Sequence, residues 1–183
     1  MRIVIDTSSL LALVRYYLPF DKDDSLKKFI LGRIDAGEII ILDKVFEESK
    51  FISKGIIIKE LNPPKNKVVK TVDILPTAKF FNQLENQFCY GVQKNRLNSA
   101  EFETEKNKFL DSADAKQILY CIKDKSSLDI DRPILVTEET KTENDSKLFK
   151  KLPEICTMLE IEHCNLTTLF KDHFKINLSK HLE

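Results

Sequence analysis

Residues 2–10, Arg2-Ile3-Val4-Ile5-Asp6-Thr7-Ser8-Ser9-Leu10, place the tightest limit on what this chain can fold into. Three successive apolar β-branched residues suit a short strand covered on both faces, as in the middle of a parallel sheet. Asp6 then falls at the carboxyl end of that strand, where open α/β sheets receive their ligands. The hydroxyl residues Thr7, Ser8 and Ser9 lead into an apolar helical run from Leu10 to Val14. Asp6 or one of those hydroxyls therefore serves equally well as a helix N-cap, with no chemistry at all.

The same alternation recurs down the chain. Residues 9–18 read as an apolar helix stopped by Pro19. Leu26, Phe29, Ile30 and Ile34 keep helical spacing up to Gly37, a C′ glycine. Residues 38–42 form a second apolar strand and Asp43 opens the next helix, over 43–54, which turns Val45, Ser49 and Ile52 to one side. Glu48 borders that inward side and Glu47 points elsewhere. Gly55-Ile56-Ile57-Ile58 suits a short strand, residues 62–67 a Pro-rich loop. Residues 76–110 form an amphipathic helical insertion with Phe80, Phe81, Leu84, Phe88, Leu97, Phe102 and Phe109 as packing positions. A strong helix over 110–124 begins with Asp111 and Asp114, three apart and able to face one way. After a loop at 128–132, residues 133–137 make a third strand running into Glu138 and Glu139. Residues 145–160 read as helical with a boundary at Pro153, 162–164 as a short strand and 166–170 as a last helical turn.

Strand–helix alternation of this kind predicts an α/β fold: a three-layer α/β/α sandwich on a mostly parallel central sheet. The 183 residues suffice for one full core, read as a single domain over 1–174 with a loosely held C-terminal tail at 175–183. Four glycines are too few for a sandwich or barrel rich in tight turns.

Lys plus Arg and Asp plus Glu each total 29, so no global basic field draws the chain to nucleic acid, and any grip must be local. Lys59, Lys65, Lys67 and Lys70 form one modest basic patch, which reads first as a solvated loop and second as an RNA contact. Cys89, Cys121, Cys156 and Cys164 lack C-x-x-C spacing and read as buried, reduced thiols. No apolar run approaches 18 residues and no secretory signal pattern opens the chain, which predicts a cytoplasmic protein without a membrane span.

Acids gather where this topology puts ligands. Asp6 ends one strand, Glu138 and Glu139 end another, Asp111 and Asp114 open a helix, and Glu48 lies on the helix after the second strand. Converging carboxylates repel in a low-dielectric site unless protons or cations neutralise them. Hard oxygen ligands select Mg²⁺ or Mn²⁺, and one or two such ions can activate water for phosphodiester displacement. His163, His173 and His181 have no zinc-ligand spacing, and no Walker loop, G-x-S-x-G elbow or H-E-x-x-H motif competes.

The run Ile3-Val4-Ile5-Asp6-Thr7-Ser8-Ser9-Leu10-Leu11 resembles the opening signature of PIN-domain nucleases. Val45-Phe46-Glu47-Glu48 resembles the helix that carries their second acid, and the run from Ser112 to Leu119 resembles the helix start that carries the third. Ile134-Leu135-Val136-Thr137-Glu138-Glu139 resembles their strand ending in Thr-x-acid. The run from Lys151 to Ile161 is similar to a bacterial and archaeal PIN-like subgroup. The resemblance implies a Mg²⁺- or Mn²⁺-dependent endoribonuclease, often the toxin of a toxin–antitoxin pair, with RNA as substrate, a cognate antitoxin and a homo-oligomeric state. It assigns the metal and catalytic positions to Asp6, Glu48, Asp114 and Glu139, with Glu138 as the fallback for the fourth. Thr7 or Ser8 would steady Asp6, Asp111 would be a first-turn helix charge or sit behind the ligands, and residues 55–110 exceed a minimal domain of this kind. A PIN-like fold with a degraded site, binding RNA or protein without cutting, is the alternative.

Overall fold

The computed structural model describes residues 1–125, 132–140 and 147–182. The order is β1 (Ile3–Ile5), α1 (Thr7–Ala12), α2 (Ser25–Asp35), β2 (Ile39–Ile40), α3 (Asp43–Phe51), α4 (Ile56–Glu60), α5 (Ala78–Asn86), α6 (Gly91–Lys94), α7 (Ser99–Leu110) and α8 (Ala113–Lys125). It ends with β3 (Ile134–Val136), α9 (Leu152–Met158), β4 (His163–Cys164) and α10 (Leu166–Thr168).

The four strands form one parallel sheet in the order β2-β1-β3-β4, flanked by helices as a three-layer α/β/α sandwich requires. Ile3, Val4 and Ile5 pair with Ile134, Leu135 and Val136, and all six side chains are buried. A short strand can be wholly apolar only when helices cover both its faces. The chain leaves β1 to build β2 on one side, then returns to build β3 on the other. That reversal makes the β1/β3 crevice the topological switch point, the place where open α/β sheets bind ligands.

Local chemistry sets the helix boundaries. Glu38 N donates to Arg33 O at 2.9 Å and Gly37 N to Ile34 O at 3.0 Å, closing α2 with Gly37 at φ +74°. This double bond is the Schellman arrangement that favours glycine at C′. At the other end of α2 the carboxylate of Asp21 accepts from both Leu26 N and Lys27 N at 2.8 Å. Asn98 and Glu101 form a reciprocal capping box that opens α7.

Three expectations need correction. Residues 56–58, expected with Gly55 to form a strand, are helical. Ser53, Lys54 and Gly55 all adopt left-handed backbone, and that turn sends Ile57 into the core at the start of α4. Within the stretch expected to be helical, residues 147–151 are non-helical and α9 starts only at Leu152. Phe149 makes an antiparallel bridge with Cys89 instead, and backbone bonds join Tyr90 N to Leu148 O and Lys150 N to Phe88 O. Residues 175–182 are not loose. Lys22 N donates to His181 O at 2.6 Å, and Ile176, Leu178 and Leu182 pack against the core. The loop expected at 128–132 lies mostly outside the described residues, as do residues 141–146.

The left-handed turn carries a testable demand. A Cβ on Gly55 would sit 2.9 Å from the Lys50 carbonyl oxygen, and Gly55 has φ +73°. Gly55→Ala therefore meets both a clash and an unfavourable backbone region, with an expected cost of about 1–3 kcal/mol. A lower urea midpoint with an unchanged m-value is the expected reading, and an unchanged midpoint would refute it.

Among the described residues no helix is long and apolar enough to cross a membrane. Cys121 and Cys156 are buried, Cys89 and Cys164 half-buried, and all four are free thiols.

Candidate active site

Asp6 is both the cap and the centre of the acid cluster, so the two readings of its segment coexist. Its backbone is extended and its N–H bonds Val136 O at 2.9 Å, tying the end of β1 to the end of β3. The buried carboxylate collects donors from three elements. Asp6 Oδ2 accepts from Ser8 N at 3.3 Å, Ser8 Oγ at 2.5 Å and Thr137 Oγ1 at 3.0 Å. Asp6 Oδ1 accepts from Gln117 Nε2, on α8, at 3.0 Å. Hydrogen bonds from several directions fix a buried carboxylate in one orientation.

The other expected residues surround this hub. Thr7 Oγ1, one residue along α1, donates to Glu48 Oε2 at 2.7 Å and so links α1 to α3. Burial pushes the Glu48 carboxyl up and the charge of Asp6 adds to that, against the Thr7 hydrogen bond. Asp114, in the first turn of α8, is pushed up to about 7, first by burial and then by the charges of Asp6, Glu139 and Glu48, with Lys147 opposing. A carboxyl that feels three other carboxylates identifies one shared electrostatic site. Below it, burial together with Asp114 and Asp6 drives the Cys156 thiol up to about 12, far from a reactive thiolate.

The two glutamates after β3 diverge, as neighbours along an extended chain do. Glu139 lines a cleft with Asp114, and its Oε2 accepts from Leu152 N at 3.3 Å at the start of α9. Glu138 is drawn to α10, where its Oε1 accepts from Leu166 N at 2.7 Å. Asp111 lies outside the cluster in an exposed ion pair with Lys44 at 2.6 Å, and Glu47 pairs with Lys50 at 2.6 Å. Asp43 shows what a purely structural acid looks like on the same rim. Burial pushes it up, yet hydrogen bonds from Thr71 and Lys44 outweigh that and hold it below the usual carboxylate range.

As they stand, no three of the described His, Cys, Asp and Glu side chains converge closely enough to enclose a metal ion. The donor chemistry nevertheless suits a hard divalent cation: four carboxylates, one with its pKa pushed up by the rest. Gln117 Oε1, buried beside Asp6, has no hydrogen-bond partner.

The sequence reading missed Gln117 and the lysines of the cleft. Gln117 sits one helical turn after Asp114, spacing that could have placed it on the same face. The basic loop that the sequence does show lies elsewhere. Lys67 Nζ donates to Asp35 O at 2.7 Å, at the end of α2 that feeds the amino end of the sheet.

The fold and this rim define an α/β protein with an acidic site at the switch point of a parallel sheet. A family described as a domain of unknown function, DUF4411, matches residues 3–176, and the chain belongs to it. No curated protein matches the chain.

Proposed function

We propose that this protein is a Mg²⁺- or Mn²⁺-dependent endoribonuclease of PIN-like type, with Asp6, Glu48, Asp114 and Glu139 as its acidic site. One observation carries the reading: Asp114 is raised to about 7 by burial and by the other three carboxylates, at the β1/β3 switch point. Repulsion of this kind is retained where a cation is to be bound. The motif resemblance and the all-oxygen donor set support the same conclusion.

Asp6 and Asp114 would hold the ion, with Glu48 and Glu139 completing the acidic surround. A divalent ion held there would supply the acidity that activates water and the positive charge that offsets the phosphoryl oxygens. The chain's own contribution is positioning. Ser8, Thr137 and Gln117 lock the Asp6 carboxylate, and Thr7 orients Glu48. Within a cytoplasmic setting, which keeps the four thiols reduced, the protein would act as the toxin of a toxin–antitoxin pair. Its partners would be RNA, an antitoxin covering the acidic rim, and a second copy of itself.

The test is incubation of a pool of structured and single-stranded RNA with Mn²⁺, Mg²⁺ or EDTA. Cutting in either metal and none in EDTA is the expected result. No cutting, with no heat of Mn²⁺ binding by calorimetry, would leave a PIN-like RNA- or protein-binding module in its place.

A further inference from the structure

The helical insertion builds a wall beside the acids. The carboxyl end of α7 and residues 147–151 enclose a cleft of about 380 Å³ that reaches Asp114 and Glu139. Backbone bonds from residues 88–90 to 148–150 hold the second wall in place. Lys108, Lys147, Lys150 and Lys151 line the cleft, so its charge changes sign from floor to wall.

These lysines differ in what already holds them. Lys150 is tied to Glu154 at 2.6 Å and lies over the Tyr90 ring. Lys108 is largely exposed and meets Glu105, itself a cleft residue, at 2.6 Å. Lys147 is exposed, and its charge reaches Asp114. Phe109 and Phe149 also line the cleft and stack with centroids 4.5 Å apart and rings 29° from parallel. Phe109 is buried and Phe149 half-buried, so the pair is anchored on one side and accessible on the other.

We infer that this cleft seats the nucleotide next to the scissile bond of a single RNA strand. Lys108 and Lys147 take its phosphate and Phe149 takes its base. The inference rests on the nuclease reading given above. An acidic cluster alone repels a polyanion, and a lysine wall on one side gives the strand a favourable approach. A stacking aromatic beside backbone-binding cations is the chemistry of single-strand recognition, and the space admits one nucleotide and not a duplex. Glu105 competes with the phosphate for Lys108.

The test is fluorescence anisotropy of a labelled ten-nucleotide single-stranded RNA in EDTA, which reads binding without cutting, across a range of salt. Lys108→Gln combined with Lys147→Gln is expected to raise Kd about tenfold and to flatten the salt slope by about 0.7, the change for one phosphate contact. Glu105→Gln is expected to tighten binding. Phe149→Leu should weaken it with the salt slope unchanged. Lys65→Gln combined with Lys67→Gln should bind as the parent does. Absence of RNA binding by the parent, or a loss confined to the Lys65 and Lys67 variant, would overturn the cleft. Metal-dependent cutting that persists while binding ignores Lys108 and Lys147 would remove the cleft and keep the nuclease. Binding that follows the cleft variants without any metal-dependent cutting would do the reverse.

Discussion

Asp6→Asn is expected to lower Mn²⁺-dependent RNA cleavage by about 10³-fold, the loss of several kcal/mol of transition-state stabilisation, while the protein stays folded. The geometry explains why the two effects separate. An amide oxygen can still accept from Ser8 and Thr137, as Asp6 Oδ2 does now. The new amide N–H₂ would face Gln117 Nε2, a donor opposite a donor. Gln117 resolves this by turning over its own amide, because its Oε1 is buried and without a partner. Asp6→Ala has no such remedy. It strands donors from Ser8, Thr137 and Gln117 together, and each buried orphan costs about 1–3 kcal/mol. The alanine variant should therefore lose stability as well as activity. Thermal unfolding and cleavage measured on both variants decide the matter. Full cleavage by Asp6→Asn, with contaminating nuclease excluded, would remove Asp6 from the chemistry.

Asp114→Asn is expected to stabilise the metal-free protein at alkaline pH and to leave it unchanged in acid. Folding raises this carboxyl from its ordinary 3.8 to about 7. Below both values the group is protonated in the folded and unfolded chains alike and contributes no difference. Between them the folded state keeps a proton that the unfolded chain has released, so stability falls as pH rises through that window. Above pH 7 the full penalty stands, on the order of a few kcal/mol. The amide variant carries no such penalty. Urea midpoints of the two proteins should coincide near pH 3 and diverge towards pH 8, with the variant higher. Mn²⁺ at pH 8 should raise the parent's midpoint much more than the variant's. Parallel pH profiles would contradict the shared electrostatic site.

Much of this rim is legible in the sequence because it rests on short-range grammar. Ile3-Val4-Ile5-Asp6 declares a covered strand and its polar terminus, and Pro133 to Glu139 declares the matching one. Once both strands are parallel, their carboxyl ends must share a rim. Which glutamate turns towards Asp114 is another matter. Glu138 and Glu139 differ in the structure because Leu166 N and Leu152 N claim one each, and those amides are set by distant helix starts. Residues 55–58 mislead for a related reason. Three isoleucines have strand propensity, but the left-handed residues before them redirect the chain and packing of Ile57 settles a helix. The lysine wall is invisible to local reading, since α7 and residues 147–151 are brought together by the bridge between Cys89 and Phe149 and by the stacking of Phe109 on Phe149, contacts remote in sequence.

The pairing of β1 with β3 also orders events during synthesis. Residue 6 leaves the ribosome well before Thr137, which bonds it from 131 residues further along the chain. Glu138, next to Thr137, is braced only once Leu166 is available. Contacts this remote in sequence form late. A nascent chain therefore exposes its acids as an unassembled set, and the finished rim exists only after Leu166 has emerged. For a protein that would cut RNA, that delay keeps activity apart from synthesis until Leu166 has been added.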